Sequence, residues 1–169
     1  SYNEIADALV CSSDSKLLLI SFKEGLDSKV ISTESETSYS DFVWQRNGIS
    51  VAYFFTKGVS KIGYYNLPTK KLRVFDPSQF PDFPKDRSLY NASFTPLLIS
   101  EDGSKVFFGL KTITDEEMPT GIQLWNTKDK VLYPEKRFLN NMKVVDEVGV
   151  WIMEENRFAA ITTKEFPSM

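Results

Sequence analysis

The chain has 169 residues, 41% hydrophobic and 25% charged, with 20 Lys and Arg against 23 Asp and Glu for a net charge of −3. That composition belongs to a globular chain long enough to bury a core, and it lacks the basic excess of an electrostatic nucleic-acid binder. It contains no His and a single Cys, which excludes a Ser-His-Asp triad, a Cys-His dyad, His-ligated zinc, an internal disulfide and a multi-cysteine metal site.

The chain opens Ser1-Tyr2-Asn3 with neither an initiator Met nor a signal peptide, as expected of a piece of a longer protein or a processed form. No apolar run approaches the length of a membrane-spanning helix, so no membrane insertion is expected. The dominant period is two. Leu17 to Ile20 and Lys29 to Ser32 read as early strands, followed by Val51 to Phe55, Lys61 to Tyr65 and Lys71 to Phe75. Val106 to Leu110, Ile122 to Trp125 and Val131 to Tyr133 continue the series. Turn residues sit between them at Asn47-Gly48, Leu67 to Lys70, Asp102-Gly103 and Thr127 to Lys130. Cys11 falls in a strand-like segment, where an unpaired Cys is ordinarily a packing residue.

Four segments repeat a pattern of apolar stretch, polar tight turn and apolar strand. Their matching turn positions are Ser15, Gly48, Gly103 and Asn156, spaced by 33, 55 and 53 residues. Strand blocks recurring at this scale predict propeller blades. The expected fold class is therefore all-β, a partial β-propeller of three to four four-stranded antiparallel blades. A β-sandwich or small barrel is the alternative. The approximate blades are 1–38, 39–76, 93–134 and 144–169, with insertions at 76–92 and 112–120. So few blades do not readily close a ring, so either the chain is a segment of a larger propeller or two copies complete each other. Trp44, Phe54, Phe107 and Trp125 are expected to pack in the core or between blades.

The run Ser100-Glu101-Asp102-Gly103-Ser104-Lys105-Val106-Phe107-Phe108-Gly109 resembles the TolB-like blade repeat, in which a Ser-x-Asp-Gly turn joins two strands. Gly121 to Leu132 is similar to part of the amino-terminal propeller of prolyl-oligopeptidase-family serine peptidases, particularly large secreted bacterial members. The marks of Trp-Asp repeats are missing, since Trp125 is followed by Asn126. The resemblance implies a noncatalytic propeller that gates or docks peptide substrates above a carboxy-terminal hydrolase domain, in a periplasmic or secreted parent. A stand-alone TolB-like protein-interaction module is the alternative. The Gly-x-Ser-x-Gly elbow of such a hydrolase is missing: Gly48-Ile49-Ser50 runs on into Val51-Ala52. No catalytic, cofactor or metal residue is assigned.

The segment from Phe80 to Pro84, with Tyr90 beyond it, is the candidate partner-binding loop, because exposed rings beside Pro make stiff contact surfaces. Its candidate residues are Phe80, Asp82, Phe83 and Tyr90, and its ligand would be a peptide or protein. The other reading folds the two Phe rings back onto a blade. Asp115-Glu116-Glu117 lacks the ligand spacing of a calcium loop and reads as a solvated tip. Asn91-Ala92-Ser93 matches a glycosylation sequon, a pattern short enough to arise by chance.

Overall fold

A computed structural model describes residues 1–23, 25–33, 36–90, 97–113 and 147–162. The described chain is all-β, with three antiparallel sheets and one 3-10 turn. The first sheet contains β1 (Tyr2–Asn3), β2 (Ala8–Ser13), β3 (Lys16–Ser21) and β4 (Asp27–Thr33) in sequential order. The second contains β5 (Ser38–Trp44), β6 (Ser50–Lys57), β7 (Val59–Asn66) and β8 (Lys71–Phe75), again in order. The third is built on β9 (Arg87–Tyr90), β10 (Leu98–Ile99), β11 (Lys105–Thr112), β12 (Glu147–Ile152) and β13 (Arg157–Ala160). Both β9 and β10 pair with β11, at opposite ends of it. Three meanders in succession make the blade-like architecture of a partial propeller.

The predicted strands at Leu17 to Ile20, Val51 to Phe55, Lys61 to Tyr65, Lys71 to Phe75 and Val106 to Leu110 all fall inside observed strands. Those at Ile122 to Trp125 and Val131 to Tyr133, with Trp125 itself, lie outside the described residues. The tight β2–β3 connection has Asp14 and Ser15 at φ of 48° and 61°, the left-handed pair that a two-residue hairpin turn requires.

The sequence places 93–134 and 144–169 in separate blades, and the structure does not. Strands β12 and β13 add to β11 and complete the third sheet. The reason is burial. Val106 pairs with Trp151, and Trp151 with Phe158, so all three stand on one face of that sheet, where each is 4% exposed or less. Glycine placement tells the same story. Tyr53 lies across Gly63 in the second sheet, where a Cβ would come within 2.2 Å of the ring. Phe108 lies across Gly149 in the third, where a Cβ would come within 2.8 Å. Tyr53 and Phe108 occupy the same position after their turns, so β12 corresponds to β7. The Asn156 turn joins the last two strands of a sheet, whereas the Gly103 turn joins β10 to β11. These two turns match in sequence but not in place.

Strand β6 is buried on both sides, from Ser50 to Phe55. Val51, Tyr53 and Phe55 pack with Val10 and Leu17 of the first sheet. Ala52 and Phe54 join Ile62, Tyr64 and Phe75 against Val106, Phe108, Leu110 and Trp151 of the third. Polar ties reinforce this stacking at the turns. Asn3 Nδ2 donates to the Gly48 carbonyl at 3.1 Å, Tyr64 Oη to the Gly103 carbonyl at 3.2 Å, and Gln45 Nε2 to the Glu101 carbonyl at 2.7 Å. Arg73 Nη1 reaches the Met153 carbonyl at 2.7 Å.

Of the residues expected in the core, Phe54 is buried, while Trp44 and Phe107 are half-buried. Trp44 packs at the margin of the cluster between the first two sheets and donates from Nε1 to the Ser1 carbonyl. Among the described residues the deeply buried indole is Trp151, 1% exposed. Replacing it with Ala empties the centre of the interface between the second and third sheets. Trp151→Ala is expected to lower stability by roughly 3 to 5 kcal/mol, measured by urea unfolding.

Candidate functional site

The segment after β8 is the largest described departure from the meander pattern. Asp76 caps the 3-10 turn Pro77–Gln79, accepting from the Ser78 amide at 3.0 Å and its hydroxyl at 2.7 Å. It also pairs with Lys61 of β7 at 2.7 Å. Further turns follow, with the Phe83 amide donating to the Phe80 carbonyl and the Arg87 amide to the Pro84 carbonyl. The segment thus satisfies much of its own backbone before entering β9. The sequence treats 76–92 as one insertion, but its last described residues form this strand and pair with β11.

The candidate loop residues separate into two groups. Phe80 stacks on Phe75 with ring centroids 4.4 Å apart, and Phe83 lies 5.1 Å from Phe158. Both are under a tenth exposed and belong to the core between the second and third sheets. Of the two readings of this loop, the partner-binding one is corrected at Phe80 and Phe83 and the fold-back one holds there: burying the rings against Phe75 gains more than leaving them in water. Asp82 and Tyr90 remain at the surface, and Lys111 Nζ sits 5.3 Å from the Tyr90 ring centroid. The acidic triplet 115–117 and the sequon at 91–93 lie outside the described residues.

Arg87 was not singled out by sequence. Its side chain is 6% exposed and forms a two-pronged pair with Glu147, from Nε at 2.9 Å and Nη2 at 2.7 Å. Nη1 engages the carboxylate and main-chain carbonyl of Asp86. The hydrogen bonds to Glu147 raise the guanidinium pKa further above its ordinary value, despite the opposing effect of burial. Strands β9 and β12 flank β11, so this pair ties the two sides of the third sheet together. Nothing in the sequence marks Arg87 and Glu147 as partners, because 60 residues separate them.

Beside this pair lies a groove of about 300 Å³. It is lined by Gly58 of the β6–β7 turn with Val59 and Ser60 at the start of β7, and by β9 from Arg87 to Leu89. Pro77 and Phe83 contribute from the loop, and Ile113 from the end of β11. The lining is mainly apolar, with Ser60 and Ser88 supplying hydroxyls and Arg87 already committed to carboxylates. Among the described residues no group of His, Cys, Asp and Glu is arranged to hold a metal ion.

No family model matches the chain, and a search of curated proteins finds no significant match. A search of solved structures finds an oligogalacturonate lyase in complex with manganese, at 16% identity and a TM-score of 0.47. The match covers 88% of this chain and 29% of the lyase, so the chain spans less than a third of that protein's length. The likeness is weak and at the level of the fold, and it assigns neither activity nor ligand.

Two predictions follow from the paired and hydrogen-bonded charges. Glu147→Ala leaves Arg87 in a dry site with only Asp86 beside it, and should cost roughly 3 kcal/mol in chemical unfolding. Asp76 has its pKa lowered from 3.8 chiefly by the hydrogen bond from Lys61, and Asp102 is lowered by the hydroxyls of Ser100 and Ser104. Carboxylates depressed in the folded state stabilise it above their unfolded pKa, and this contribution is lost as pH falls through the folded value. Stability should therefore decline below about pH 4, and Asp76→Asn should flatten that decline in unfolding curves measured against pH.

Proposed function

We propose that this chain is a noncatalytic propeller segment that docks peptides, of the kind that gates substrates for a prolyl-oligopeptidase-like serine peptidase. The groove between the β6–β7 turn and β9 is the observation that carries this reading. Its volume falls at the small end of the range for ligand sites, enough for one or two residues of an extended chain. Pro77 and Phe83, with the aliphatic Val59, Leu89 and Ile113, give it a mainly apolar lining on which a proline ring of an extended segment would rest. The turn around Asp102-Gly103 resembles the TolB-like blade repeat, and the run from Gly121 to Leu132 resembles part of this peptidase family's propeller. Catalysis would belong to a separate hydrolase domain of the parent.

The test is a titration of a short labelled proline-containing peptide, read by fluorescence anisotropy. The wild-type chain should bind it saturably. Val59 is 60% exposed on the groove wall, so Val59→Asp should leave the circular dichroism spectrum unchanged and weaken binding by about tenfold. Absence of saturable binding, or equal binding by the variant, would overturn peptide docking in this groove. Binding that persists unchanged when a hydrolase domain of this peptidase family is added would favour the stand-alone TolB-like interaction module.

A further inference from the structure

Strand β9 pairs with β11 alone, and its other edge is free among the described residues. The ladder shows which groups stand on that edge. The Ile113 amide donates to the Asp86 carbonyl at 2.9 Å, one step beyond the Arg87–Thr112 pair. In an antiparallel ladder, residues that turn both backbone groups toward the partner alternate with residues that turn both away. Asp86, Ser88 and Tyr90 therefore face β11, and Arg87 and Leu89 face the free edge.

The Arg87 amide is already used, donating to the Pro84 carbonyl at 3.1 Å. The Leu89 amide and carbonyl have no partner among the described residues. Leu89 is nonetheless only 8% exposed and belongs to the same core cluster as Phe83. Water reaches it poorly, and a backbone pair left unmet in such a place carries a free-energy cost that folded chains nearly always avoid. The groove passes this point, since Leu89 lines it together with Val59, Pro77 and Ile113.

We propose that a peptide in this groove binds by antiparallel strand addition to β9. One residue of the extended segment pairs with Leu89, its amide donating to the Leu89 carbonyl and its carbonyl accepting from the Leu89 amide. This inference rests on the peptide-docking reading and adds the mode of recognition. A further strand of the fold is a poorer occupant. Strands commonly pair over about five residues, whereas this edge offers one complete backbone pair, because Pro84 has taken the Arg87 amide and Tyr90 faces β11.

Strand addition sets a sequence rule for the ligand. The paired residue must own an amide proton, so proline is excluded there. Its two neighbours turn their amides away from β9, so proline is accepted at both. The side chain of the paired residue stands on the same face of the sheet as that of Leu89, beside the apolar lining, which selects an aliphatic one. Proline, aliphatic residue, proline is the fitting pattern, and a residue before proline already prefers extended backbone.

The probe is a labelled Ser-Pro-Val-Pro-Ser peptide with blocked ends, compared on the full chain with the same peptide N-methylated at its valine. The methyl group removes one donor and leaves the side chain in place. The parent peptide should bind saturably and the methylated one about tenfold more weakly. Exchange of the Leu89 amide with deuterated water, followed by nuclear magnetic resonance, should slow about tenfold when the parent peptide is bound. Equal binding of both peptides with Leu89 exchange unchanged would overturn strand addition while leaving docking in the groove intact. Absence of saturable binding would remove the docking reading and this inference with it. A Leu89 amide that exchanges as slowly as the ladder-bonded Ser88 amide in the peptide-free chain would also overturn it, because another segment or a second copy would then hold that edge.

Discussion

Phe75 is the residue on which the joint between the second and third sheets depends. It ends β8, is fully buried, and its ring meets those of Phe80, Phe83, Phe108, Trp151 and Phe158. Two of these rings come from the loop that follows it, one from β11 and two from the hairpin of β12 and β13. Aromatic contacts add geometric preference to the area they bury, so the cluster fixes the orientation of the sheets as well as their attraction. The loop is anchored by the same contact. With Phe80 and Phe83 held inward and Asp76 tied to Lys61, the chain enters β9 at a defined place, and one wall of the groove is set there.

The sheets are assembled by a device used twice. An aromatic side chain after the turn lies across a glycine on the neighbouring strand, as Tyr53 does over Gly63 and Phe108 over Gly149. A side chain from the preceding sheet then caps a turn carbonyl. The ring fills space that a Cβ would occupy, and the capped carbonyl ties one sheet to the next. Because β6 is buried on both faces, the second sheet acts as the middle layer on which the other two are mounted. Insertions can then vary at the sheet ends without disturbing the stack, which is where the groove and the loop lie.

The buried charges serve position more than net stability. Arg87 and Glu147 sit with little solvent access, and their desolvation offsets much of their attraction. Their two-pronged geometry nevertheless sets how β9 sits relative to β12, which a purely apolar contact would not. The groove wall formed by Arg87 to Leu89 inherits that placement. Arg87 is thus a support for the site, with its guanidinium directed into the sheet.

The local character of the chain is written in its residue pattern. The alternation in Lys71 to Phe75, the apolar run Val51 to Phe55 and the turn chemistry at Asn47-Gly48 and Asp102-Gly103 are short-range signals, so the strands and their hairpins were legible there. Long-range packing settles which strands share a sheet and which rings face inward. Trp151 and Phe158 join β11 across more than thirty intervening residues, because that pairing alone brings them onto the face of Val106. For Phe80 and Phe83 the sequence favours rings folded back onto a blade over exposed contacts, and Phe75 is what receives them. Arg87 found Glu147 in the same way. A periodic pattern records the two sides of a strand, but what lies against each side is settled by the collapse of the whole chain.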